Sequence, residues 1–269
     1  MFRELAIWGA RIIPRSAKSW VHNHQAFDGL SRKFFANMVG SDLVTIPAGP
    51  MAGLKLAPGP HISHAHLRGV YELDTLQAIG RLSLSDKICY DLGASIGYLS
   101  LLMARNARHV YAFEPAPHAA EEIRRQAAAN GMANITVIPN AVSNNERDVC
   151  FAITDVAYGS SITGPQSRWP ELKLRTTTLD AFAEDHPLPD FIKIDVEGEE
   201  ANVLEGAIHI LESKRPILCC ELHNTDAARQ VQAILSKLRY AIFSLTGEPF
   251  QPTDTIVGGE VQVICTPVA

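Results

Sequence analysis

Apolar positions along this chain fall into two kinds of pattern. Short unbroken apolar runs at residues 87–90, 109–113, 135–138, 191–194 and 216–221 read as strands buried on both faces. Between them, residues 98–104, 116–130, 199–211 and 225–238 carry apolar side chains at helical spacing, and Gly131 stands where the second of these helices should stop. Residues 71–82 show the same spacing at Leu73, Leu76, Ala78, Ile79 and Leu82. Strand and helix in alternation predict a doubly wound, Rossmann-like α/β domain, a parallel sheet with helices on both faces. Two last runs, 240–245 and 261–265, leave no room for a helix between them and predict an antiparallel C-terminal hairpin. A polar insertion holds two β-like stretches, 149–154 and 172–177, around a loop rich in Gly, Ser and Pro, with a short helix at 179–184 behind it. Ahead of the alternating region, 44–50 and 53–56 read as two short strands around a Gly/Pro turn, followed by the Pro58-Gly59-Pro60 loop. The expected division is a helical leader with a short hairpin over 1–70 and the main domain over 71–269.

Composition narrows the class. The chain has 269 residues, 46% of them hydrophobic, and a formal net charge of −5. With no basic excess, a nucleic-acid footprint is not expected. The five cysteines, Cys89, Cys150, Cys219, Cys220 and Cys265, lack framework spacing and read as reduced thiols of a cytoplasmic protein. No run approaches the ~20 apolar residues that span a bilayer. Residues 1–20 mix Arg3, Glu4, Arg11, Arg15 and Lys18 with Leu5, Ile7, Trp8, Ile12 and Ile13, a poor signal peptide but a plausible amphipathic helix docked on its own domain or a partner. The same pattern makes a homodimer plausible.

The candidate chemistry starts at Asp91-Leu92-Gly93-Ala94-Ser95-Ile96-Gly97, a glycine turn between a strand and a helix, where α/β sheets hold nucleotide-like cofactors. A dinucleotide site wants a third glycine so that backbone can approach a pyrophosphate. Here only Gly93 and Gly97 are present, and Asp91 opens the turn with a carboxylate that would repel phosphate but could hold an ammonium. An adenosyl cofactor with an amino-acid tail, S-adenosylmethionine, suits the turn better than NAD. About 20 residues on, Glu114-Pro115 ends the second strand, which places the Glu114 carboxylate for ribose hydroxyls. Asn140 follows the third strand; its amide, or backbone around Ala141, could meet the adenine edge.

The order of these pieces resembles the FkbM-type S-adenosylmethionine-dependent methyltransferases of the class I fold. The resemblance rests on the glycine turn through Tyr98, on Tyr111-Ala112-Phe113-Glu114-Pro115, on Asn140-Ala141-Val142-Ser143, and most specifically on Phe191-Ile192-Lys193-Ile194-Asp195-Val196-Glu197-Gly198. Arg215-Pro216-Ile217-Leu218 through Glu221-Leu222-His223 completes it, so that it covers about residues 44–245. Ser95 stands where the family usually has Asn. The resemblance implies a seven-stranded sheet with its last strand antiparallel, and methyl transfer to a hydroxyl of a sugar, polyketide or similar scaffold, so a small-molecule or carbohydrate acceptor is the expected partner.

In open α/β sheets the active crevice lies beyond the carboxyl ends of the strands. Asp195 ends the fourth strand there, and Glu197 extends the same lip or simply favours the N-terminus of the next helix. Glu221 and His223 follow the fifth strand. His223 is the candidate general base for an acceptor hydroxyl, with Asp195 or Glu221 orienting it or the substrate. Asp195, Glu197, Glu221 and His223 could instead gather a divalent cation, but they have no metal-motif spacing and a metal is not favoured. His61, His64 and His66 lack acidic or Cys companions and read as substrate-facing or exposed. Gly159, Ser160 and Ser161 sit on a loop that could meet a polar acceptor. Two competing readings are an NAD-linked oxidoreductase and a non-catalytic adapter that keeps the fold.

Overall fold

A computed structural model describes residues 43–152, 161–163, 171–251 and 260–268. The chain divides into two compact units, residues 1–73 and 74–269. In the first, β1 (Val44–Thr45) pairs antiparallel with β2 (Lys55–Leu56), and α1 (His64–Leu67) follows. The expected strands at 44–50 and 53–56 shrink to these two-residue pieces because the Gly49 and Gly53 turns, both at positive φ, occupy the rest. The helix α2 (Leu73–Gly80) leads into the second unit.

That unit runs β3 (Ile88–Leu92), α3 (Tyr98–Ala104), β4 (His109–Phe113), α4 (Pro117–Ala129), β5 (Ile135–Ile138), β6 (Asp148–Ala152), β7 (Ser161–Thr163), β8 (Glu171–Arg175), α5 (Leu179–Ala183), β9 (Phe191–Ile194), α6 (Glu200–Glu205), α7 (Ile208–Ser213), β10 (Ile217–Leu222), α8 (Thr225–Lys237), β11 (Tyr240–Ser244) and β12 (Val261–Pro267). Seven strands form one sheet in the order β11-β12-β10-β9-β3-β4-β5. Five are mutually parallel from β10 to β5, and β12 lies antiparallel between β10 and β11. The fully buried strands β3 and β9 are central, as their unbroken apolar runs require. Tyr90, Phe113 and Ile192 pack into one core cluster, while Ala94 and Ala112 pack with Ile123 of α4 in another. The chain leaves β3 outward to β4 and β5 and returns on the other side at β9. The switch in strand order therefore falls between β3 and β9, where a crevice opens in such sheets.

Two elements differ from the sequence expectation. The single helix over 199–211 is two, broken at Gly206-Ala207. The Asp180 carboxylate accepts hydrogen bonds from the backbone of His209 and Ile210, at 2.9 and 3.0 Å, and so caps α7 from a different element. The polar insertion gains a third strand, β7, in a small sheet ordered β7-β6-β8. Its Phe151, Leu172 and Leu174 pack on Ala116 and Ala119 at the start of α4. Among the described residues no helix is long and apolar enough to cross a membrane. The leader over 1–42, with the amphipathic helix expected there, lies outside the described residues.

Candidate active site

The turn after β3 is shaped by backbone geometry. Gly93 at φ +71° and Gly97 at φ +79° are left-handed, and the N–H groups of Gly93 and Ala94 donate to the Phe113 carbonyl at 3.1 and 3.0 Å. A Cβ on Gly93 would stand 1.8 Å from the Asp195 carbonyl oxygen, so the turn is pressed against the exit of β9. Glycine at 93 thus serves backbone-to-backbone contact within the protein. Ser95 also has positive φ, +50°. Asn tolerates this region better than most residues, so Ser95→Asn is expected to hold or raise stability by up to about 1 kcal/mol, read by urea unfolding.

Glu114 lies directly after β4 and is 6% exposed. Its Oε2 accepts from the Ser95 N–H at 2.8 Å and its Oε1 from the Ala116 N–H at 2.9 Å. Burial pushes its carboxyl up to about 7, against the lowering by those two N–H groups and by Lys193. Pro115 is buried behind it, and Asn140 and Ala141 leave β5 on the same edge of the sheet. The Ala141 carbonyl accepts from Thr177 at 3.0 Å, and Asn140 is half-buried.

Asp91 behaves differently from expectation. Its carboxylate is wholly buried, accepts from Ser100 Oγ at 2.5 Å, and lies 3.6 Å from Lys193 Nζ. Asp91 and Lys193 are direct partners in the β3–β9 register. Lys193 also donates to the Gly93 carbonyl at 3.0 Å and to Asp195 Oδ2 at 3.1 Å. The Asp91 charge is therefore answered inside the protein, by Ser100 and Lys193, and does not stand ready to hold a cofactor's ammonium. Lys193 ties the glycine turn to the lip of β9.

Beyond the switch point, Asp195, Glu197, Glu221 and His223 converge. His223 Nε2 lies 3.5 Å from both Asp195 Oδ1 and Glu197 Oε2, and Glu221 Oε2 accepts from Gln262 at 2.7 Å. Glu197 sits at φ +53°, a strained conformation of the kind concentrated at functional sites. A shorter contact than that to Asp195 is made by Glu200, whose Oε1 lies 2.7 Å from Nδ1. Burial works to lower the imidazole pKa. The hydrogen bond and charge of Glu200, with Asp195 and Glu197, outweigh it and push His223 up to about 9. That shift favours the protonated imidazole at neutral pH, a ring that has to give up this proton before it can act as a general base. Asp195, Glu221 and His223 offer side-chain atoms within 4.8 Å of one another.

The other candidate histidines, His61, His64 and His66, belong to the first unit. His66 is 1% exposed, stacks on Tyr71 with centroids 3.9 Å apart, and its Nδ1 meets the Ser63 hydroxyl at 2.7 Å. Burial and Arg68 lower His64 to about 4. The reading of these residues as exposed therefore fails for His66. Gly159 and Ser160 lie outside the described residues, and Ser161 begins β7. Lys193 and Glu200 were missed from sequence. Lys193 looks like an ordinary polar position in a strand, and Glu200 like an acidic residue at a helix start.

A doubly wound sheet with an antiparallel strand inserted between β10 and β11, and polar side chains gathered at the carboxyl ends of β3, β4 and β9, is the Rossmann-like architecture of methyltransferases. Residues 91–245, more than half of the chain, match the Methyltransferase FkbM domain, and the chain belongs to that family. It is 28% identical over 177 residues to the hexuronic acid methyltransferase AglP of Haloferax volcanii, covering 64% of this chain and 70% of that protein. Among solved structures it is similar to the methyltransferase FkbM of Methylobacillus flagellatus, with 22% identity, a TM-score of 0.46 and 70% of this chain covered. The chain spans 45% of that structure's length. A SAM-dependent O-methyltransferase of Thermotoga maritima is similar at 12% identity and a TM-score of 0.44, with 73% of this chain and 64% of that chain covered.

Proposed function

We propose that this chain transfers the methyl group of S-adenosylmethionine to a hydroxyl on a sugar, glycan or natural-product scaffold. The observation that carries the reading is the convergence of the Gly93–Gly97 turn, Glu114 and Asp195 at the point where the strand order reverses. The residues present fit the cofactor. Glu114 is a buried carboxyl group at the exit of β4, placed for a ribose diol, and the turn with two glycines suits a tail without pyrophosphate. Asn140 or backbone at Ala141 would meet the adenine edge. When bound, S-adenosylmethionine supplies an electrophilic methyl group on a sulfonium.

The chain's own part is placement and proton handling. Asp195 and Glu197 face the crevice with carboxylates that can accept a hydrogen bond from an acceptor hydroxyl and take its proton as the ether forms. His223, favoured in its protonated form, pairs its charge with both carboxylates, each 3.5 Å from Nε2. Holding the hydroxyl in line with the methyl group supplies a large share of such a rate enhancement by itself. The sugar class is supported by the likeness to a hexuronic acid methyltransferase.

Two measurements test the reading. Glu114→Ala is expected to weaken S-adenosylmethionine binding about 10- to 100-fold, the effect of losing hydrogen bonds to a charged acceptor. Unchanged affinity would remove the ribose assignment. Incubation with methyl-labelled S-adenosylmethionine and a panel of methyl glycosides, free uronic acids and phenols should label a hydroxylated member, and labelling of amines alone would contradict the O-transfer.

A further inference from the structure

Glu200 opens α6 and is fully buried. A carboxylate removed from water is costly unless paired, and this one has two partners on one oxygen. Its Oε1 accepts from the Gly198 N–H at 2.9 Å and from His223 Nδ1 at 2.7 Å, while Oε2 is buried with no hydrogen-bond partner. With Oε1 accepting, the imidazole of His223 carries a hydrogen on Nδ1. The other ring nitrogen, Nε2, is thereby the one turned to the lip, 3.5 Å from Asp195 Oδ1 and Glu197 Oε2. His223 arises from the turn after β10 and Glu200 from the helix after β9. The contact therefore also ties together the two strand exits that form the crevice edge.

From this geometry we propose that Glu200 is a positioning residue of the transfer site, fixing the tautomer and orientation of His223 so that Nδ1 keeps its hydrogen and Nε2 is the atom that gains and loses a proton at the lip. It is the logic of a histidine held by a buried carboxylate on one nitrogen and working with the other. That His223 serves methyl transfer rests on the proposed function; that Glu200 holds it does not. The groups facing the imidazole are Glu200, Asp195, Glu197 and Glu221, with Lys193 on Asp195 as the opposing cation. The negative ones dominate and raise its pKa to about 9. Because the folded value exceeds the free one, the protonated ring stabilises the fold fully below pH ~6.5, and that contribution is lost as pH rises through about 9.

The test is nuclear magnetic resonance titration of the His223 imidazole in the purified protein, its signal assigned by absence in His223→Asn. Wild type should titrate near 9, and nitrogen shifts above that pH should show hydrogen on Nδ1. Glu200→Gln keeps the shape and removes the charge, and should bring the midpoint down by more than one unit toward ~6.5. Glu200→Asp, which keeps the charge, should leave the midpoint nearer to wild type and guards against misfolding of the first variant. An unmoved midpoint in Glu200→Gln, or hydrogen on Nε2 in the neutral ring, would overturn the proposal. No cofactor or acceptor is needed, so this result stands apart from S-adenosylmethionine binding. Calorimetry of Glu200→Gln should give an affinity within about threefold of wild type, and loss of binding at an unmoved midpoint would make Glu200 merely structural.

Discussion

Lys193→Met is expected to lower the unfolding free energy by about 3–5 kcal/mol, the usual cost of removing one partner of a buried ion pair. The side chain of Lys193 is 7% exposed and that of Asp91 is 0% exposed. Methionine would fill much of the same volume, so packing contributes little to the loss. The cost comes from Asp91, left with Ser100 alone, and from Asp195, which loses a donor at 3.1 Å. The Gly93 carbonyl loses its donor as well. If the stranded charge is the cause, Asp91→Asn in the same chain should recover a large part of the loss, because the two sites are in direct contact and their effects do not add. Urea unfolding of the two single variants and the double variant measures this. A loss below about 1 kcal/mol in Lys193→Met would mean that Asp91 does not depend on it.

Gly93→Ala should be the most disruptive change in the turn. Its Cβ would lie 1.8 Å from the Asp195 carbonyl oxygen and 3.0 Å from the carbonyl carbon, and both are backbone atoms that cannot rotate away. The left-handed φ of +71° adds a further ~1–2 kcal/mol for any L side chain. Together these are expected to cost about 4 kcal/mol or more, in the range reserved for backbone and core disruption. Gly247→Ala is the control. It shares positive φ, +92°, and a Cβ there meets nothing within 4 Å, so it should lose only the conformational part. Thermal unfolding of the two variants separates the terms. Similar melting temperatures would show that the β3 and β9 exits are not in close contact in solution.

Much of the architecture was legible because it is written in local patterns. The parallel order of β3, β4, β5, β9 and β10 follows from apolar runs alternating with helical periodicity, and the antiparallel β12 from the missing helix before it. What escaped depends on residues far apart in sequence. The break between α6 and α7 is made by Asp180, about 30 positions away, and no apolar period records a cap supplied from another element. The strand β7 is too short and polar to stand out from its loop. At the site, the segment Phe191-Ile192-Lys193-Ile194 reads as a strand with one tolerated lysine; only the register of β3 on β9 shows that this lysine faces Asp91. In the motif Asp91 reads as a group for the cofactor, because its burial and its bond to Ser100 cannot be seen there. His223 was read from its intrinsic pKa near 6.5, which holds for a lone imidazole and fails for one set among Glu200, Asp195 and Glu197.

Calorimetric titration of the purified protein with S-adenosylmethionine, with NAD as comparator, tests whether the β3 turn and Glu114 form the proposed cofactor site. Saturable binding of S-adenosylmethionine at one site per chain, weakened in Glu114→Ala, is expected, with no heat of binding for NAD. Saturable binding of NAD with none of S-adenosylmethionine would contradict the cofactor assignment and, with it, the roles given to Glu114 and Asp195.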